Sequence, residues 1–258
     1  MSWPQSKVSK IENGRQTPSD GDVRSWCEAT GGDDVADALL ADLHTLQVRH
    51  REYQLVLRAG LASAQHTVAR DEARTVLFRS FQPTMVPGLL QTPEYARTRL
   101  EHGAWVWGKG PDLDEAVAAR MARQSILYQP VRRFHFVLTE STLMNALCAP
   151  AAMLVQIDRL RSLSMLPNVR LGIIPFETMF AIPPLHAFWL MDERLVAVET
   201  FQAELNLTQP QEVAHYTKVF ETLALDADYD RKANAHLGRV ARALERRRAR
   251  AEQEPAGE

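Results

Sequence analysis

The chain has 258 residues, enough for one sizeable core or two smaller domains, and its 45% hydrophobic and 24% charged residues are an ordinary globular balance. A net charge of −2 excludes any bulk electrostatic pull toward nucleic acid. Only Cys27 and Cys148 could form a disulfide, and they lie far apart in a chain with no apolar run of membrane length and no signal-peptide pattern. Free thiols, a cytoplasmic location and no membrane partner are therefore expected.

The first distinctive stretch is Trp3 to Pro18, WPQSKVSKIENGRQTP. It reads as a short helix with Gln5, Ser6, Lys7, Ser9 and Lys10 on one side and Val8 and Ile11 on the other, ended by Asn13-Gly14. Amide, hydroxyl and cationic side chains of this kind reach base edges and phosphates in a major groove. The pattern Gln-x-x-apolar-Ser-x-apolar-Glu-x-Gly, followed by Pro18, resembles the recognition helix of xenobiotic-response-element (lambda-repressor-like) helix-turn-helix regulators. The resemblance implies double-stranded DNA as a partner. Gln5, Ser6, Lys7 and Lys10 would approach base edges or phosphates, and Ser9 and Arg15 would lie on phosphates. Such domains normally place two helices before this point, so residues 1–32 are expected to be a partial helix-turn-helix, truncated at its start.

Next, Ser19 or Asp20 can cap a helix carrying Val23, Trp26 and Cys27, which Gly31-Gly32 stops. From Asp33 or Asp34 a long connecting helix is expected to reach roughly Ala69, with leucines at helical spacing, inside a connecting segment 33–74. Thr75 to Phe81 has strand character. Thr92-Pro93-Glu94 then sets a cap, a proline in the first turn and an acid at the positive helix end. The phrase Val86-Pro87-Gly88-Leu89-Leu90-Gln91-Thr92, with Tyr95-Ala96 behind it, resembles the signature of a C-terminal domain of unassigned biochemistry. That domain is found behind this type of helix-turn-helix in actinobacterial regulators that are often described as antitoxin-like. The resemblance runs to about residue 240 and implies a small partner protein or a small-molecule effector.

Trp105 to Pro111 reads as an aromatic loop, lacking the glycines and the Lys-Ser/Thr pair of a phosphate cradle; its two tryptophans are expected to pack under a sheet, the alternative being exposed contact with a ligand or partner. A helix through Tyr128 follows. Arg133 to Thr139 alternates, Phe134, Phe136 and Leu138 facing one way and His135 and Val137 the other. Further helices are expected at 140–147 and 150–166, strands at 168–175, 186–191 and 196–201, and helices at 211–225 and 229–250. The last carries Arg239, Arg242, Arg246, Arg247, Arg248 and Arg250, read as a solvated basic helix end. The fold class is α+β: a mixed sheet flanked by helices over residues 75–250, then a disordered tail over 251–258.

No His-Glu-x-x-His, Cys-x-x-Cys, Gly-x-Ser-x-Gly or dinucleotide fingerprint occurs, so neither a metal nor a cofactor is expected. The leading function is a DNA-binding transcriptional regulator, expected to be a homodimer because paired readers fit a palindromic site. The rival is an enzyme of specialised metabolism built on the C-terminal domain. Its candidates would be Glu140, His186 and Glu199, with His135 nearby, as strand-borne acid/base groups. The same polar residues on a sheet face could line an effector pocket.

Overall fold

The computed structural model describes residues 3–13, 16, 18–43, 60–107, 112–200 and 204–253. The chain forms two compact units, Met1–Glu52 and Tyr53–Glu258. The first unit contains α1 (Gln5–Glu12), α2 (Asp20–Thr30), a 3-10 turn (Asp33–Val35) and α3 (residues 36–43). Ser19 caps α2 in a full capping box with Asp22, and Gly31 ends it at φ 71°. Ala36, Leu40 and Leu43, at helical spacing on α3, are buried, as is Cys27 on α2.

In the second unit the helices are α4 (Leu61–Ala73), α5 (Pro93–Trp107), α6 (Leu113–Arg123), α7 (Glu140–Met144), α8 (Pro150–Ser164), α9 (Pro210–Leu225) and α10 (Asp230–Gln253). The strands are β1 (Leu77–Gln82), β2 (Arg133–Thr139), β3 (Val169–Ile174), β4 (Phe188–Met191), β5 (Leu195–Glu199) and β6 (Glu204–Leu207). They form one mixed sheet in the order β3-β2-β1-β4-β5-β6, with β3, β2 and β1 parallel and the rest antiparallel. This is the expected α+β class, a mixed sheet flanked by helices. The parallel neighbours need helical crossovers, whereas β4 and β5 close through a short turn. At that turn Asp192 takes φ 54°, and its Oδ1 accepts the backbone N–H groups of Val76 and Leu77 at 3.1 and 2.8 Å. The hairpin is thereby tied to the start of β1.

Register assigns the two faces. On one, which we call the Phe136 face, Phe78, Phe134, Phe136, Leu138, Leu171 and Ile173 join stripes from α8 (Met153, Ile157, Leu160) and α10 (Ala233, Leu237, Val240, Leu244). On the other, the His135 face, Phe81, Val137, Ile174, Phe188, Leu190, Val196 and Val198 pack on Val213, Phe220 and Leu223 of α9. The alternation read from β2 holds residue by residue.

Several expectations are corrected. A helix running from Asp33 to Ala69 does not form: Gly60, at φ 100°, interrupts it and α4 starts afresh at Leu61. The residues between, 44–59, lie outside the described residues. Gly60 has a second reason to lack a side chain, because a Cβ there would meet Asp112 Oδ2 at 2.6 Å. That carboxylate accepts the Ala62 N–H at 2.8 Å and caps α4. Trp105–Trp107, expected to open an aromatic loop, are instead the last turn of α5, and Trp105 is 86% exposed rather than packed under the sheet; residues 108–111 lie outside the described residues. β6 was not anticipated, since ELNL has weak strand propensity. The disordered tail expected over 251–258 is helical in its first part: α10 runs to Gln253, and 254–258 lie outside the described residues.

Gly172 in β3 is set by a close approach. A Cβ there would lie 2.6 Å from the Tyr229 ring and 2.9 Å from Ala227 Cβ. Gly172→Ala should therefore cost about 1–3 kcal/mol by overpacking, read by urea denaturation. The same change in a Tyr229→Ala background should cost clearly less, since the obstructing ring is gone.

Candidate functional site

Four of the groups proposed to meet DNA, Gln5, Ser6, Ser9 and Lys10, are exposed on α1. Lys7 is not: its Nζ turns back to Asp22 Oδ1 at 2.6 Å and lies 4.3 Å from the centre of the Trp3 ring. This hydrogen bond from Lys7, helped by the Ser19 backbone N–H, holds the Asp22 carboxyl down to about 2. Trp3 meets Trp26 edge-on at 5.8 Å. Lys7 therefore braces α1 against α2 rather than projecting from it. Ser9 accepts from Asn13 Nδ2 through its carbonyl at 2.7 Å and its hydroxyl at 3.3 Å, and it stays exposed. Arg15 lies outside the described residues.

The three acid/base candidates are not brought together. Glu140, the first residue of α7 directly after β2, is 4% exposed and receives Arg239 on both oxygens, at 2.8 Å each from one guanidinium nitrogen, and the Phe176 N–H at 3.1 Å. Arg239 also donates to His236 Nδ1 at 2.8 Å, which leaves His236 Nε2–H to donate to Asp228 Oδ2 at 2.9 Å. Glu140 is thus the anchor of a polar chain on α10, and Arg239 belongs to that chain rather than to a solvated helix end. His186 is exposed, 2.9 Å from the Tyr216 hydroxyl. Glu199 closes β5 on the Phe136 face and is exposed.

Glu199 does, however, border a group of residues that sequence reasoning missed. On the β4–β6 half of the Phe136 face, Trp189, Ala197, Glu204 and Asn206 are only half-buried, while Leu190, Val196 and Val198 on the opposite face are buried. Two arginines one helical turn apart on α6 act electrostatically on these acids, Arg120 with Glu199 and Arg123 with Glu204. Arg123 donates from Nε and Nη2 to the two oxygens of Glu72, at 2.8 and 2.5 Å, with side chains 9% and 3% exposed. Arg120 instead donates to two neutral oxygens, Gln65 Oε1 at 3.0 Å and Gln91 Oε1 at 2.9 Å. Burial, and then Arg123 beside it, push the Arg120 guanidinium down to about 10. Glu204 is pushed up by burial, with Glu199 and Asp71 adding to it. The available signal was Gln91, already conspicuous in the VPGLLQT phrase, and the Arg-x-x-Arg spacing at 120 and 123.

His135 sits on the other face. Tyr229 donates its hydroxyl proton to the Ala224 carbonyl at 3.0 Å, so His135 Nε2 must carry the hydrogen it gives to Tyr229 at 2.8 Å. Burial, then Arg170 and Arg79, lower the imidazole to about 4. An unfolded histidine titrates near 6.5, so below that pH the unfolded chain takes a proton that the folded chain refuses. Stability should fall from pH 6.5 to 4, by up to about 3 kcal/mol, and stop falling on this account below 4. In His135→Phe the decline between pH 6.5 and 5, where carboxylates contribute little, should flatten when urea midpoints are measured across pH.

Among the described residues no helix is long and apolar enough to cross a membrane, and no group of three His, Cys, Asp or Glu could hold a metal ion. No curated protein and no solved structure matches the chain. Residues 65–239, which span β1 to β6 and carry every second-unit site residue described above, match a family described as Domain of unknown function (DUF5753). The match covers more than half of the sequence, and the chain belongs to that family.

Proposed function

We propose that the protein is a DNA-binding transcriptional regulator of the cytoplasm, working as a homodimer, whose second unit responds to a small-molecule effector or a small partner protein. The observation that carries this reading is the exposed polar face of α1. Gln5, Ser6, Ser9 and Lys10 project from one short helix that α2 braces through Lys7–Asp22 and Trp3–Trp26. A groove-reading helix needs donors and acceptors on its outer side and a rigid backing, and these residues supply both. Gln5 can pair with an adenine edge, and Lys10 and Ser9 suit phosphate oxygens. Lys7, already committed to Asp22, is assigned to positioning and not to contact. The half-open polar face of the sheet supports an effector role for the second unit.

The test is a mobility shift with the full chain on the DNA upstream of its own coding sequence, at two salt concentrations. A shift that weakens with salt is expected. Lys10→Ala should weaken binding uniformly across sequences and reduce the salt slope by about one. Gln5→Ala should cost about 1–3 kcal/mol and relax the preference at one base pair. Absence of any shift at low salt, for a chain whose circular dichroism shows it folded, would overturn the reading.

A further inference from the structure

Among the described residues the sheet ends at β3 on one side and at β6 on the other. The β3 edge is partly taken: Ile173 and Asp228 exchange N–H···O bonds at 2.9 and 2.8 Å, and Tyr229 packs over Gly172. The β6 edge is not, and register decides which of its groups face outward. The Asp192 N–H donates to the Leu77 carbonyl at 2.9 Å, so in β4 the alternate residues Leu190 and Phe188 also turn their backbone groups to β1. Trp189 and Met191 therefore turn theirs to β5, onto Ala197 and Leu195. One residue out of phase, Val196 and Val198 turn theirs to β6, onto Leu207 and Leu205. The N–H and C=O groups of Glu204 and Asn206 are left pointing out of the sheet. Among the described residues no hydrogen bond reaches these backbone groups. The side chains of Glu204 and Asn206 lie on the Phe136 face, where Asn206 Nδ2 donates to Glu204 Oε1 at 3.0 Å. Leu205 stands on the His135 face and is 39% exposed.

A row of outward N–H and C=O groups is a template for another strand. We propose that β6 pairs antiparallel with β6 of a second copy of this chain, about a two-fold axis through Leu205. In an antiparallel ladder, outward-facing residues must oppose outward-facing residues. A two-fold axis at Leu205 meets this for both, setting Glu204 against the partner's Asn206 and Asn206 against the partner's Glu204. Each such pair exchanges two N–H···O bonds, so every outward group of β6 is used. An axis at Glu204 or at Asn206 would pair only one of the two within the strand, and the first would put carboxylate against carboxylate. In the Leu205 register each carboxylate instead faces an amide, whose nitrogen carries a second hydrogen to donate. Leu205 meets its own copy at the non-hydrogen-bonded position, where side chains approach most closely. The strand is thus self-complementary, as an isologous contact requires, and the two sheets join into one. The inference rests on the homodimer of the proposed function and assigns its interface; the pairing itself requires no DNA.

The test is sedimentation equilibrium of the full chain without DNA. The contact is small, so association is weak: the mass should rise from that of one chain, 29.1 kDa, towards twice that value between about 1 and about 300 µM. Asn206→Pro removes an outward N–H while the Leu205 and Leu207 bonds to β5 stay in place, and it should weaken the dimer about tenfold or more. Leu205→Lys and Leu205→Glu should each weaken self-association, since like charges then meet on the two-fold axis. Mixing these two variants should restore pairing, the mixed dimer being about fivefold or more tighter than either variant alone. Only a residue that faces its own copy gives that rescue. A chain that stays monomeric throughout this range overturns the proposal and leaves the edge to a strand of another protein. A dimer unmoved by all three substitutions also overturns it, while the homodimer itself stands on another surface. Should Asn206→Pro fail to fold by circular dichroism, the mixing experiment decides alone. The mobility shift reports on DNA binding separately, so failure of either reading is seen by itself.

Discussion

A segment without long regular structure, Val86 to Thr92, lies buried against the sheet, and every backbone group it takes out of water must find a partner. Val86, Leu89 and Leu90 are fully buried. Side-chain amides supply much of the pairing. Gln91 Nε2 donates to the Val86 carbonyl at 2.7 Å, and the Val86 N–H donates to the Tyr95 hydroxyl at 3.1 Å. From α8, the fully buried Gln156 accepts the Thr92 N–H at 2.7 Å and donates to the Leu90 carbonyl at 2.8 Å. Gln124 donates to the carbonyls of Gly88 and Gln91 at 3.1 and 2.7 Å. The VPGLLQT phrase is therefore a self-satisfying turn clamped from two neighbouring elements. Its glutamine faces two ways, closing the turn with its nitrogen and holding Arg120 with its oxygen.

Two buried carboxylates fix the surroundings of that turn and of the loop after β3. Glu72 ties α4 to α6 through Arg123, and Glu140 ties the start of α7 to α10 through Arg239 while gripping Phe176. Burying an ion pair contributes little net stability, yet leaving one member unpaired costs about 3–5 kcal/mol. The geometry is thus better described as a constraint on which elements may adjoin than as a source of stability. Arg239 retains 48% exposure, so water shares its charge, while Arg123 at 9% has no such relief. Position in the fold, not residue type, separates the two.

The parts of the fold legible in the sequence were those with a strong period or cap. β2 alternates without interruption, Ser19 and Gly31 bound α2, and α8 and α10 carry unbroken apolar stripes. The illegible parts have tertiary causes. Gly60 reads as a tolerable helix residue until its positive φ and the nearby Asp112 carboxylate are seen. β6 forms because β5 offers an edge, not because ELNL prefers extension. At the candidate site, the outward groups of α1 were readable from spacing, but the capture of Lys7 by Asp22 depends on how two helices cross. Arg120 was hidden for a similar reason. A lone arginine on a polar helix looks solvated until the partners that surround it prove to be amides.

Gln65 brings one atom into special prominence. Its single carbonyl oxygen accepts from Arg120 Nε at 3.0 Å and from an Arg123 terminal nitrogen at 2.7 Å, so both lone pairs are engaged and the amide orientation is fixed. Exchanging its nitrogen for oxygen, Gln to Glu, would keep the shape and complete the neutralisation of both guanidiniums. The chain is thus a single isosteric replacement away from a closed, self-contained charge network. As built, it keeps an amide at that position and leaves Arg120 with only amide acceptors among the described residues.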